Sequence, residues 1–263
     1  MRRIVVDNAV ITEDDPDFVA ALSRGLSVIR AFSGQPERMT LAEVARVVGL
    51  SRATTRRCLL TLQALGYVHM SGREFRVAPK VLTLAQAYLS SSLLPRIAPP
   101  FLERISEKLG ESCSVSVLSG NEVVYVARSK SRRMSAMVRD VGSHQPAYCT
   151  AMGRVLLAGL SAAELDAYFR AVNLRAYTKY TVTDEAALRA ILDDVRAQQY
   201  CASDQQLEID LRALAVPLLD ASGRIVAALH ATTQASRTTV KQMTTRFLPV
   251  LREAAAELRP LLV

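Results

Sequence analysis

The stretch "TLAEVARVVGLSRATTRRCLLTLQALGYV", residues 40–68, decides the fold. Thr40 stands three residues before Glu43, the spacing at which the two side chains satisfy each other's free backbone N–H groups and open a helix. Leu41, Val44, Ala45 and Val48 then recur at helical spacing, and Gly49 supplies the left-handed residue on which such a helix ends. Ser51 is placed to cap a second helix, whose inward stripe reads Thr55, Cys58, Leu59, Leu62 and Leu65. Its opposite face shows Arg52, Ala53, Arg56 and Gln63, with Arg57 at the flank. Gly66 ends that helix, and "YVHMSGREFRV" gives two short alternating runs around Ser71-Gly72, which predicts a hairpin. Upstream, Leu22, Leu26, Ile29 and Phe32 predict a first helix from Phe18, stopped by "SGQPE". Three helices and a basic hairpin make residues 18–79 a winged helix-turn-helix. Residues 1–17, with "EDDPD", read as a loose arm. "VLTLAQAYLSSSLL", with Val81, Leu84, Tyr88 and Leu89 at helical spacing, predicts a linker helix over 80–94, bounded by Pro95 and the pair Pro99-Pro100.

The second helix has the chemistry of a major-groove reader. Ser51, Ala53 and Thr54 keep its first turn slim, so the backbone can approach base edges. Arginine's planar fork matches guanine O6/N7 or a phosphate with two parallel hydrogen bonds. Arg52 and Arg56, four apart on one face, are the candidates for base contact; Arg57, Thr40 and the wing residue Arg73 are those for phosphate, which positions without reading sequence. A solvated basic helix is the bland alternative, and the capped helix before it together with the basic hairpin after it favours DNA. Charge agrees: the chain carries a net +8, and residues 39–80 hold seven Arg or Lys against two acids. Single-strand RNA readers stack bases on exposed aromatics, whereas Phe18, Phe32, Tyr67 and Phe75 sit at apolar-patterned positions. One such domain reads few base pairs, so two copies on a palindromic operator are expected, with the linker helix as a dimer contact.

Residues 95–263 alternate in type. "SCSVSVL" and "EVVYVARS" flank Ser119-Gly120-Asn121 as a hairpin, "MSAMVRDVG" predicts a third strand, and "ALAVPLL" and "IVAALHATT" flank "DASG" as two more. Helices are expected from Thr150, from Ser161 with Glu164 as a second capping box, over "DEAALRAILDDVRAQQ", and in a closing segment that Pro249 should bend. The reading is an α+β domain with a mostly antiparallel sheet. Cys58, Cys113, Cys149 and Cys201 show no CxxC and no metal-ligand spacing to the three histidines, so reduced thiols, no metal and no cofactor are expected. No apolar run reaches the roughly 18 residues of a membrane span. A cytoplasmic protein with no membrane partner is the expectation.

From about residue 18 to the end, the chain resembles the IclR family of bacterial transcription regulators. The motifs that carry this are "ALSRGLSVIRAF", "LAEVARVVGLSRATTRRCLLTLQALGYV", "PAYCTAMGRVLLA" and "DQQLEIDLRALAVPLLDASGRIVAAL". The third and the start of the fourth are similar to the branch that governs protocatechuate, 4-hydroxybenzoate and β-ketoadipate catabolism. The resemblance implies a winged helix domain followed by a GAF-like effector domain, assembled as dimers or tetramers. It departs at His144, where the branch has arginine, and at Asp210, where glycine is usual.

A sensor site is predicted where "PAYCTAMG" delivers the chain into a helix. The N–H groups of Ala151, Met152 and Gly153 at that end would attract a carboxylate, and small residues beside Cys149 and Thr150 leave room for a ligand. His230 and Thr232 share one face of "IVAALHATT". By family carry-over, Asp204, Leu214 and His144 join the site, with Met134 and Met137 as adaptable apolar walls. Alternatives stay open: the methionines as core, His230 as an interior histidine, Asp204 as a brace on a strand. The functional reading is a DNA-binding regulator responsive to a small organic acid, an aromatic acid or β-ketoadipate-pathway metabolite, with RNA polymerase open as a further partner. Competing readings are a constitutive DNA-binding scaffold, and an enzyme or redox sensor using Cys149, since a thiol at a helix N-terminus has a lowered pKa.

Overall fold

The computed structural model describes residues 4–6, 9–11, 14–129 and 140–262, and the chain separates into two compact units, 1–87 and 88–263. The first opens with β1 (Ile4–Val6) paired antiparallel to β2 (Ala9–Ile11), a ladder where a loose arm was expected. β-branched residues on both sides of Asp7-Asn8 favour that pairing.

α1 (Ala20–Arg30) packs through Val28 and the following Ala31, with Ile29 and Phe32 partly buried. Leu22 and Leu26, expected to face inward, are 62% and 48% exposed, because the N-terminal half of α1 carries an apolar face that the small core does not cover. β3 (Met39–Thr40) leads into α2 (Leu41–Val48), where Thr40 and Glu43 form the full capping box and Gly49 takes the left-handed conformation at φ 68°. α3 (Arg52–Ala64) is capped by Ser51 and buries Thr55, Leu59 and Leu62. Leu65 is exposed instead, because the helix has ended and the chain is already turning through Gly66. β4 (Val68–Ser71) and β5 (Glu74–Val77) form the wing, and β5 also pairs with β3. Val28, Val44, Leu59, Val68 and Phe75 fill the core.

α4 (Leu82–Ser91) crosses the boundary between units and buries no residue. α5 (Leu94–Leu109) contains Pro99 and Pro100 rather than ending at them. The N–H groups they lack would have met the carbonyls of Pro95 and Arg96 in the opening turn, so the loss stays near the helix start.

The second unit is built on a six-stranded sheet, antiparallel throughout. Its strands are β6 (Ser112–Ser119), β7 (Glu122–Arg128), β8 (His144–Pro146), β9 (Cys201–Asp204), β10 (Leu211–Leu219) and β11 (Ile225–Gln234), in the order β8-β7-β6-β11-β10-β9. Between β8 and β9 run α6 (Ala151–Ala158), α7 (Ala162–Ala171) and α8 (Glu185–Gln198); α9 (Val240–Leu258) follows β11 and contains Pro249. One sheet face packs Leu214, Val216 and Leu229 with Leu102 of α5 and Phe247 and Leu251 of α9. The other packs Tyr125, Ala215 and Ala228 with Met152 and Leu157 of α6 and Leu188 of α8. Every residue of α6 is buried, so this helix sits between sheet and outer helices. Most of the strand expected over 134–142 lies outside the described residues; 140–142 form no strand, and β8 begins at His144.

Candidate functional site

On α3, Arg52, Ala53, Arg56 and Arg57 are exposed, and Arg73 is exposed at the wing turn. Among the described residues none of these four guanidinium groups pairs with a carboxylate, whereas Arg38 pairs with Glu74 at 3.9 Å and Arg76 with Glu37 at 3.6 Å. Among the described residues, the cations of α3 and the wing tip are thus left without a carboxylate partner, while Arg38 and Arg76 beside them are paired. The Ser51 Oγ accepts from Thr54 N at 3.2 Å and donates to Thr54 Oγ1 at 3.0 Å, which fixes the start of the helix. Thr40 departs from its expected role. Its N–H and hydroxyl both donate to Glu43 Oε2, at 2.7 and 2.8 Å, and those bonds hold the Glu43 carboxyl below its ordinary pKa. A hydroxyl tied to an ionised carboxylate is a cap, and a poor phosphate contact.

In the second unit a cavity with about 380 Å³ of atom-free space, part of it open to solvent, lies between the sheet and the start of α6. It brings together six of the expected residues: Cys149, Thr150, Ala151, Met152, His230 and Thr232. Thr150 caps α6, its Oγ1 accepting from Gly153 N at 3.2 Å. The first-turn N–H groups of Ala151 and Met152 have no intrahelical acceptor and are the donors left to the cavity. His230 is 2% exposed and packs edge-on to Tyr125, ring centroids 5.4 Å apart.

Strand register decides which of the remaining candidates can reach the cavity, because directly opposed residues of an antiparallel pair share a face. Ala213 lies opposite Thr232 and Ser203 opposite Ala213, so these three face α6. Leu214 lies opposite Ala231 and is fully buried in the core on the other side, so it cannot line the site. Asp204 lies opposite Arg212 and is gripped by it, Oδ1 to Nε at 2.7 Å and Oδ2 to Nη2 at 3.0 Å. Arg212 in turn donates to the carbonyls of Ala235 and Thr238. Asp204 thus braces the strand, and Arg212 holds its carboxyl below the usual range. His144 is likewise off the cavity, its Nδ1 3.2 Å from Glu122 Oε2, while the neighbouring Gln145 lines it. Gly153 is needed for space: a Cβ there would stand 2.1 Å from the Ala147 carbonyl oxygen. Met134 and Met137 lie outside the described residues.

The lining residues that sequence reading missed are Tyr125, Gln145, Ser203, Gln206, Leu207, Leu211 and Ala213. Alternation from His230 and Thr232, carried across the register, would have found Ser203, Leu211 and Ala213. Gln206 follows β9 in an irregular turn with no period to read.

The thiol chemistry of the competing reading is disfavoured here. Burial pushes the Cys149 thiol up to about 11, against the pull of the Arg154 charge, so it is not an activated nucleophile. Among the described residues no group of three His, Cys, Asp or Glu is placed to hold a metal, and no helix is long and apolar enough to cross a membrane.

A basic winged helix and a separate cavity-bearing unit define a DNA-binding regulator class, and comparison with known proteins gives the family. The IclR helix-turn-helix domain matches residues 21–71, and the bacterial transcriptional regulator IclR C-terminal domain matches 86–259. The chain belongs to the IclR family of bacterial transcriptional regulators. It is 44% identical to the Pca regulon regulatory protein of Pseudomonas putida over 93% of this chain and 84% of that one. It is 36% identical to the p-hydroxybenzoate hydroxylase transcriptional activator of Acinetobacter baylyi, over 93% and 92%. Its fold also matches the crystal structure of a double mutant of the inducer-binding domain of the Acinetobacter PobR transcription factor, in complex with 3-hydroxybenzoic acid. That match has TM-score 0.60 and 35% identity, covering 63% of this chain and 97% of that one.

Proposed function

We propose that this regulator senses a single-ring aromatic acid in the cavity at the start of α6 and thereby sets its affinity for an operator upstream of aromatic catabolism genes. The observation that carries the reading is the composition of that cavity. Helix N–H donors from Ala151 and Met152 suit a carboxylate, His230 and Thr232 offer polar groups for ring substituents, and Tyr125, Leu207 and Leu211 supply apolar wall. The names of the two curated relatives and the aromatic acid bound in the Acinetobacter domain support the same class of effector. α3 enters the major groove with Arg52 and Arg56 at base edges, while Arg57 and Arg73 hold phosphates. Regulation rather than catalysis is the role in keeping with the family, and burial that raises the Cys149 thiol to about 11 disfavours the thiol-dependent alternative.

Two half-sites require two copies. Val19, Leu22 and Leu26 at α1, with Leu82 and Leu84 on α4, are exposed apolar residues suited to contact between them. Isothermal titration with protocatechuate, 4-hydroxybenzoate, 3-hydroxybenzoate and non-aromatic dicarboxylates tests the effector class. Saturable binding of at least one aromatic acid, lost in Thr232→Val, is expected; silence across the panel favours a constitutive scaffold.

A further inference from the structure

Arg154, on α6 behind the cavity, is 3% exposed, and among the described residues no carboxylate lies within ion-pair distance of it. Its Nε donates to the Tyr148 carbonyl at 2.8 Å and its Nη2 to Gln206 Oε1 at 2.6 Å, both neutral acceptors. Its other neighbours are the thiols of Cys149 and Cys201, each held protonated by burial, at about 11. Among the described residues this buried guanidinium therefore has no carboxylate counterion, an arrangement that proteins rarely leave uncompensated.

Gln206 stands between that charge and the cavity it lines. Its orientation is forced, because Oε1 accepts from both Arg154 Nη2 and Val182 N, the latter at 3.1 Å, and neither donor tolerates the amide nitrogen in that place. With the oxygen committed twice, Nε2 is the part of the head group available to the cavity. Arg154 pulls electron density through the amide and strengthens Nε2 as a donor.

We propose that Arg154 and Gln206 form a relay that makes the cavity selective for anions, Gln206 Nε2 donating to the effector carboxylate and Arg154 supplying the countercharge without touching it. This deepens the proposed aromatic-acid site and rests on it. Gln206 is then a specificity-determining residue and Arg154 a positioning residue acting through it.

Gln206→Glu is the sharp test. It gives Arg154 an internal countercharge and presents a carboxylate oxygen, in place of a donor, to the ligand. Binding of 4-hydroxybenzoate and of its uncharged isostere 4-hydroxybenzamide is measured by calorimetry in wild type, Gln206→Glu and Arg154→Met, with melting temperatures alongside. The expected result is that the carboxylate-over-amide preference falls at least tenfold in both variants, amide affinity in Gln206→Glu stays within about threefold, and Gln206→Glu melts higher than wild type at pH 7. If Arg154→Met does not fold, Gln206→Glu still decides. A carboxylate-over-amide ratio within twofold of wild type, or a lower melting temperature for Gln206→Glu, overturns the relay while leaving the aromatic-acid site standing. Failure of wild type to bind any aromatic acid overturns both.

Discussion

Replacing Gly153 by alanine probes the joint on which the cavity is built. An added Cβ would lie 2.1 Å from the Ala147 carbonyl oxygen, 2.4 Å from its Cα and 2.6 Å from its carbonyl carbon, all closer than the 3.0 Å that real Cβ atoms keep. All three atoms are backbone, and they are pinned: Ala147 N donates to Asn121 O at 3.2 Å, and its carbonyl accepts from the Thr150 hydroxyl at 3.3 Å. No rotamer change relieves the clash; the turn from 147 to 153 must move away from the sheet. Overpacking a tight site costs about 1 to 3 kcal/mol, and loss of the Thr150 cap adds about 1, so a total of about 2 to 4 kcal/mol is expected. At roughly 2 to 4 °C per kcal/mol for a unit of this size, the 88–263 unit should melt about 4 to 16 °C lower by calorimetry. Effector affinity should fall with it, since the N–H groups of Ala151 and Met152 ride on the same turn. Gly159→Ala is the internal comparison. Its Cβ would meet the side chain of Ile225, nearest atom at 2.9 Å, which can adjust, so the loss should be smaller. A Gly153→Ala protein melting within 2 °C of wild type would refute this reasoning.

On α3, Arg56→Ala should cost about 1 to 3 kcal/mol on the cognate operator and relax preference at one base pair, whereas Arg73→Ala should weaken all sequences alike and lower the salt slope of binding; equal losses on operator and random DNA for Arg56→Ala would count against it as a base reader. Asp204 has a folded pKa below its ordinary 3.8, so its pairing with Arg212 stabilises above that pH and is lost as pH falls through the lowered value. Asp204→Asn should therefore destabilise at pH 7 and converge with wild type in acid melts, while leaving effector affinity within about twofold. Thiol labelling of the native chain at pH 8 should be fast at half-buried Cys58 and slow at Cys113, Cys149 and Cys201, where burial raises the thiol pKa. Cys149→Ala should keep effector binding, and loss of a chemical reaction in that variant would revive the thiol reading.

The winged helix was legible because each of its parts has a local cause. Thr40 with Glu43, Gly49, Ser51 and the Ser71-Gly72 turn announce their roles within four residues of sequence. What the local pattern missed was set by tertiary coverage. Leu22 and Leu26 sit on a helical stripe, yet no element of the unit lies over them, and Leu65 falls where the helix period stops. In the second unit, alternation put His230 and Thr232 on one face and the family resemblance made that face the pocket side, while Thr150 was legible from its place before an apolar run. Leu214 and Asp204 were misplaced by one residue of strand parity, which flips a side chain to the opposite face. Asp210 shows a different limit. It stands at φ 64°, the glycine-like conformation the resemblance implies, and Ser236 compensates by donating from N and Oγ to its carboxylate at 2.7 and 3.1 Å. Arg154 was invisible as a buried charge because "MGRVLLA" gives arginine no special spacing; only the packed structure shows that it has no carboxylate partner among the described residues.

If the basic helix reads an operator and the cavity binds an acid, their coupling within one chain is tested most directly by reciprocity of binding. The dissociation constant for the operator, mapped by footprinting on the adjacent gene region, should be measured with and without a saturating aromatic acid identified by calorimetry. The prediction is a change of at least fivefold, matched by an equal change in acid affinity when operator is present, and abolished by Thr232→Val at the same acid concentration. An operator affinity that is identical with and without bound acid would contradict it.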